Sequence, residues 1–467
     1  RPPRPRRRAP RPPRPRAAGQ TERVRDDILP ARATRLIGGP PGRYVRTNGW
    51  WRSVATWLVP LTAIPMALAV LQREHCIRFG WGGSDQFWRM CFSDLPAQYA
   101  LAPLDGGIAA YLRGEAVLDQ PVVAGSVMSA LGGLVPTGSA LSEQRWYFLY
   151  WVALVTLLLA ACVWCTIQVV PSDLQAAAQV ALSPVIALAA VLNSDALAVA
   201  LVAAAMVAWQ RERLALTGVL LGLGVLTRGY VVAVVLALLV HAWRVEAMPA
   251  ARRVLLAATT TVLALFVFFV IVAPDQFLAP YQSWWKGQAG YGSLWLIPSI
   301  GGHPLPPWSV ALLALLGWGL ALLLGRVLVR DAFHAPSWAQ LSLVVVGMGM
   351  MFGKAVPVQA ALWLLPLAAM AGVRWRDHLI WAGCEALHFG AVWLYVGALT
   401  TPDRALPGPW YVVFLFIRVA GITWLVTRVW QTALYPPARH ERPVEPAPQP
   451  DPAPQTEPAP EPEPASV

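Results

Sequence analysis

The chain has 467 residues, 56% of them hydrophobic and 13% charged. A soluble domain carries about 25% charged residues, so this composition excludes an ordinary water-soluble enzyme. The net charge of +12 does not point to nucleic acid, because the arginines crowd the first sixteen residues and the ends of hydrophobic runs, where they orient helices in a bilayer.

Residues 1–48 are rich in Pro and Arg and lack any periodic apolar pattern. Such a segment cannot bury enough surface to offset its ordering entropy, so it is expected to be a disordered cytoplasmic tail held near anionic headgroups. Residues 49–435 hold nearly uncharged runs of the length that crosses a hydrocarbon core. They predict an all-α, polytopic transmembrane bundle of about twelve helices, at 52–71, 146–169, 174–191, 195–210, 213–227, 229–244, 252–273, 307–326, 338–352, 356–373, 378–399 and 409–428. Residues 436–467, rich in Pro and Glu, are expected to form a second disordered tail. A cleaved signal peptide ending near Ala67-Leu68-Ala69 is the alternative for the first helix, although the preceding segment is long for that role.

Alternating the twelve helices from a cytoplasmic start puts Arg211 and Arg213, Arg244, Arg252 and Arg253, Arg326 and Arg330, Arg374 and Arg376, and Arg428 on one side. That is the positive-inside pattern, and it predicts a plasma-membrane protein with both termini cytoplasmic. Two large connections, 72–145 and 274–306, then face outward. The first carries short apolar pieces, among them Pro121 to Val135, too short to span and suited to an interfacial or re-entrant helix. Cys76 and Cys91 both lie in it, on the oxidising side. A bridge between them would close a 15-residue loop, worth about 3 kcal/mol. Cys162, Cys165 and Cys384 fall inside helices and read as packing residues.

A few polar residues in this apolar chain require a reason. Asp94, in Cys91-Phe92-Ser93-Asp94-Leu95-Pro96, reads either as a helix cap or as a general base. Asp195, in Asn193-Ser194-Asp195, reads as a cap or as a second polar contact on the same face. Arg228 and Lys354 project from short outward connections, where a cation is costly unless it meets an anion. His303 reads as a loop residue or a proton acceptor. Glu385 and His388 share a helix face, but a single Glu-x-x-His does not make a di-metal site. Glu385 is instead expected to pair with Arg418 at similar depth on the next helix.

Four stretches carry a resemblance. Cys91-Phe92-Ser93-Asp94-Leu95-Pro96-Ala97-Gln98-Tyr99, Gln120-Pro121-Val122-Val123-Ala124-Gly125, Leu226-Thr227-Arg228-Gly229-Tyr230, and Lys354-Ala355-Val356-Pro357-Val358-Gln359 followed by Leu362-Trp363-Leu364-Leu365-Pro366 resemble motifs of actinobacterial glycosyltransferase family 87, in the GT-C superfamily. The last departs from the family pattern by placing Val358 between Pro357 and Gln359. The resemblance covers roughly residues 50–430 and implies a GT-C-like fold whose large first outer loop bears short interfacial helices. It also implies transfer of a sugar, mannose by the leaning of the subgroup, from a polyprenyl-phosphate donor to a lipid or glycan acceptor in cell-envelope lipoglycan synthesis.

The catalytic candidates are then Asp94 and His303, which would deprotonate an acceptor hydroxyl. Arg228, Lys354 and Arg113 are candidates for the donor phosphate, and Ser93, Tyr99, Asp195 and Gln359 for positioning substrate. The partners implied are membrane lipids, the lipid-linked sugar and the acceptor. Neither metal nor cofactor is expected. The rival readings are a transporter or lipid flippase, and a GT-C-like scaffold without activity.

Overall fold

The computed structural model describes residues 56–171, 173–401 and 406–435, so both expected tails lie outside the described residues. Every regular element among the described residues is a helix. In chain order they are α1 (Ala63–Gln72), α2 (Glu74–Phe79), α3 (Asp85–Trp88), α4 (Asp94–Leu101), α5 (Gly107–Leu112), α6 (Val122–Gly132), α7 (Ala140–Val169), α8 (Leu174–Ala181), α9 (Pro184–Ala189) and α10 (Ala196–Gln210). There follow α11 (Leu214–Val225), α12 (Tyr230–Arg244), α13 (Met248–Val272), α14 (Pro274–Lys286), α15 (Ile297–Ile300), α16 (Pro307–Asp331), α17 (Trp338–Phe352), α18 (Ala361–Met370), α19 (Trp375–Thr400) and α20 (Gly408–Leu434).

Five of these, α7, α13, α16, α19 and α20, are long and apolar enough to cross a membrane. The other expected crossings are shorter. A 15-residue helix such as α10, α12 or α17 is about 22 Å long, less than the roughly 30 Å of a bilayer core. Two of the short helices are enclosed by protein. All ten residues of α18 and nearly all of α17 are buried, as suits helices that are apolar all round. By contrast, only 17% of the most apolar window of α13 is buried.

Two expected helices are interrupted, each for a local reason. The 174–191 run breaks at Ser183, whose hydroxyl accepts from the Val185 N–H while Pro184 opens α9, a strong start signal. The 356–373 run begins with Pro357 and a 3-10 turn, Val358–Ala360, before α18. Close approach within the bundle relies on small residues. Gly218 and Gly222 lay α11 against α13, where a Cβ on Gly222 would come within 2.8 Å of the Ala258 carbonyl. Four-residue spacing of glycines is a familiar solution in lipid, where dispersion replaces the hydrophobic effect between helices.

The expected pair inside the bundle is present. Arg418 Nε donates to Glu385 Oε2 at 3.0 Å, and its remaining nitrogens donate to the carbonyls of Val356 (2.7 Å) and Pro357 (2.9 Å). Arg418 therefore holds the turn that leads into α18. The Cys76–Cys91 disulfide is also formed.

Candidate functional site

The connection between α1 and α7 packs onto the loop between α9 and α10. Ser93 takes an extended conformation and occupies the cap position of α4, but its hydroxyl does not cap. It donates instead to the Val191 carbonyl at 2.7 Å, and the Asp94 N–H donates to the Leu192 carbonyl at 2.9 Å. Cys91 is anchored by its disulfide and Phe92 by ring contacts, stacked on Phe87 and tilted against Trp393. The Asp94 carboxylate is thus free of capping duty, and its Oδ2 accepts from Asn193 Nδ2 at 3.2 Å.

Asp195 occupies the cap position of α10 and does not cap either. One carboxylate oxygen meets Arg228 Nε, and the other accepts from Trp363 Nε1 at 2.8 Å. The Trp363 ring stacks on Tyr230 with centroids 4.5 Å apart. The Asp195 side chain is 1% exposed and that of Arg228 17%, so this is a nearly dry ion pair. It leaves one guanidinium nitrogen, Nη2 of Arg228, buried without a partner. A buried unsatisfied donor of this kind carries the full cost of its desolvation.

The electrostatics follow from the packing. Burial pushes the Asp94 carboxyl up to about 6, against the opposing pull of Arg228 and the Asn193 hydrogen bond, with Asp195 adding to the rise. A carboxylate at that level is ionised at neutral pH and basic enough to accept a proton from a positioned hydroxyl. Three of the four family-like stretches are brought together by direct contacts. The Val123 N–H at the start of α6 donates to the Leu226 carbonyl at 3.1 Å, beside Thr227 and Arg228, and Trp363 reaches the partner of Arg228 from α18. Gly125 is required in α6 because a Cβ there would overlap the Tyr111 hydroxyl.

The other expected site residues lie elsewhere. Arg113 is exposed and paired with Glu115 at 2.6 Å. His303 is exposed, and its backbone N–H donates to the Pro298 carbonyl at 2.9 Å. Lys354 does not project outward; it is buried, its Nζ donating to the carbonyls of Trp285 and Pro307 at 3.0 Å each, 5.2 Å above the Trp284 ring. Burial lowers its pKa. Tyr99 is buried against Tyr147, with ring centroids 4.8 Å apart, and Gln359 is buried in the 3-10 turn before α18. None of these side chains is hydrogen-bonded to Asp94, Asp195 or Arg228 among the described residues. Arg228, expected to hold the donor phosphate, already holds Asp195 through Nε, and its buried Nη2 is left without a partner.

Sequence reasoning missed two contributors. Trp363 was legible only as part of a motif, with nothing in its spacing to say that its indole serves Asp195. Arg73 is fully buried and donates to the carbonyls of Ala69 (2.9 Å) and Leu188 (2.8 Å), fastening α1 to the end of α9 just before the carbonyls that seat Ser93 and Asp94. Burial draws it down to about 9. Nothing in the sequence separates it from Arg78 and Arg89, which are exposed. The chain matches no protein-family model and no curated protein.

Proposed function

We propose that this protein is a membrane-embedded glycosyltransferase that moves a sugar, mannose by the leaning of the subgroup it resembles, from a polyprenyl-phosphate donor to a lipid or glycan acceptor. In this reading the chain crosses the plasma membrane twelve times with both termini cytoplasmic, and the Asp94 end of the bundle faces outward. The observation that carries the proposal is a half-buried carboxylate that makes no capping bond, Asp94, within electrostatic reach of a guanidinium, Arg228, that keeps one buried nitrogen unsatisfied.

Asp94 takes the proton of the acceptor hydroxyl as its oxygen bonds to the sugar's anomeric carbon. The bond from that carbon to the donor phosphate breaks, and the phosphate leaves with the electron pair. Arg228 Nη2 meets the charge on the departing phosphate, a charge-assisted contact stronger than a neutral one. Asn193 orients Asp94, and Asp195 with Trp363 orients Arg228. Ser93 acts by seating the Asp94 backbone rather than by touching substrate.

The test is transfer by the purified chain in lipid vesicles, with polyprenyl phosphomannose and a phosphatidylinositol mannoside acceptor. Removing a general base lowers the rate about 10²–10⁴-fold, and Asp94→Asn is expected to fall in that range. Wild-type transfer by Asp94→Asn removes the catalytic assignment. Donor movement across the vesicle without transfer favours a flippase. Activity abolished by a chelator and restored by one divalent ion overturns the metal-free expectation.

A further inference from the structure

The helix α14 has three kinds of face. At 3.6 residues per turn, Gln276 and Ser283 fall on one side, Gln276 fully buried and Ser283 exposed but bonded to protein. Gln276 Nε2 donates to the carbonyls of Tyr111 (3.1 Å) and Ala116 (2.7 Å), and Ser283 donates to Asp119 at 2.8 Å. Phe277, Leu278, Tyr281, Trp284 and Trp285 fall on an arc about 120° wide. Three of them stand open, Leu278 at 43%, Tyr281 at 46% and Trp285 at 44% exposure. Asp275, Gln282 and Lys286 occupy the third arc and are exposed.

A helix that meets only protein and water has no use for the middle arc, which is aromatic, apolar and uncovered. What covers it is indicated by its neighbour. Only Ala273 separates α14 from α13, the long helix whose flank is mostly unburied, including Phe266, Val267, Val270 and Ile271. The two exposed surfaces are continuous. Phe266 on α13 meets Phe277 on α14 edge to face at 4.9 Å, and Phe277 meets Tyr281 at 5.6 Å. Trp and Tyr beside a polar arc are the side chains that settle at a membrane–water boundary.

We infer that α14 lies along the membrane surface, with Leu278, Tyr281 and Trp285 in the boundary between headgroups and acyl chains and Asp275, Gln282 and Lys286 in water. The same geometry explains the buried Lys354. Its ammonium caps the Trp285 carbonyl in the last turn of α14, where the helix dipole and unpaired carbonyls favour a cation. The inference is independent of the transfer reaction.

Nitroxide labels test it on the full chain in vesicles of phosphatidylcholine with a minority of phosphatidylglycerol. They are placed singly by Leu278→Cys, Tyr281→Cys, Trp285→Cys, Asp275→Cys, Gln282→Cys and Lys286→Cys in a Cys384→Ser background, since Cys162 and Cys165 are buried. Relative accessibility to oxygen and to a water-soluble nickel chelate reports depth. The first three labels are expected about 5–10 Å below the phosphate level and the last three above it. One common depth for all six overturns the inference. So does water exposure of the first three, or shielding of those three from both reagents, which would mean a second copy covers the face. Three positions on each arc keep the contrast readable if one variant does not fold.

Discussion

The Asp195–Arg228 pair is the most exacting test of the site as described. Arg228→Met removes the guanidinium and leaves Asp195, 1% exposed, with Trp363 Nε1 as its remaining donor. Taking one partner from a buried pair costs about 3–5 kcal/mol. Arg228 retains 17% exposure, and water entering there recovers part of that cost, so about 2–4 kcal/mol is expected. Asp195→Asn keeps an acceptor for Trp363 but strands the cation. The double variant removes both charges and should regain at least about 1 kcal/mol against the sum of the singles, because contacting residues couple by about 0.5–3 kcal/mol. Graded unfolding of the purified protein in mixed micelles, followed by circular dichroism, measures all four proteins. A loss below about 0.5 kcal/mol in Arg228→Met, the level of an ordinary surface change, would refute the reasoning. Additivity within about 0.3–0.5 kcal/mol would do the same.

Four further outcomes follow from other contacts. With Asp94 at about 6, the transfer rate should fall as pH drops below that value and be flat above it, and a pH–rate profile without that limb counts against Asp94 as base. The folded value lies above the ordinary 3.8, so the residue's contribution to stability is greatest below about 4 and is lost as pH rises through 6; Asp94→Asn should flatten that slope in unfolding measured across the window. Breaking the Cys76–Cys91 bridge with Cys76→Ser and Cys91→Ser together reopens a 15-residue loop and should cost about 3 kcal/mol, seen as faster proteolysis in residues 77–90. Lys354→Met strands the Trp285 and Pro307 carbonyls, so amide exchange should quicken at the end of α14 and the start of α16 while residues 93–101 are unchanged.

How far the site was legible in the sequence varies residue by residue. Asp94 stands out in the sequence as a carboxylate in an apolar chain, but a cap and a base look alike in one dimension. The structure decides the capping question: Ser93, not Asp94, takes the cap position of α4, and the Ser93 hydroxyl and the Asp94 N–H are both spent on the Val191–Leu192 segment about a hundred positions away. Arg228 and Lys354 looked equivalent, two cations in short connections. One meets a carboxylate and the other two backbone carbonyls, and carbonyls carry no signature in a sequence because every residue has one.

The sequence by itself determined that this chain is helical and built for a membrane, which residues leave water, and that Glu385 needs Arg418, because composition and apolar run length report the solvent each segment can tolerate. Only the tertiary structure decided which helices are short and enclosed, where two of them break, and which face of α14 is left without protein. Those outcomes depend on the angular facing and depth of neighbouring helices, and a linear pattern holds a helix's own periodicity but not its neighbour's position.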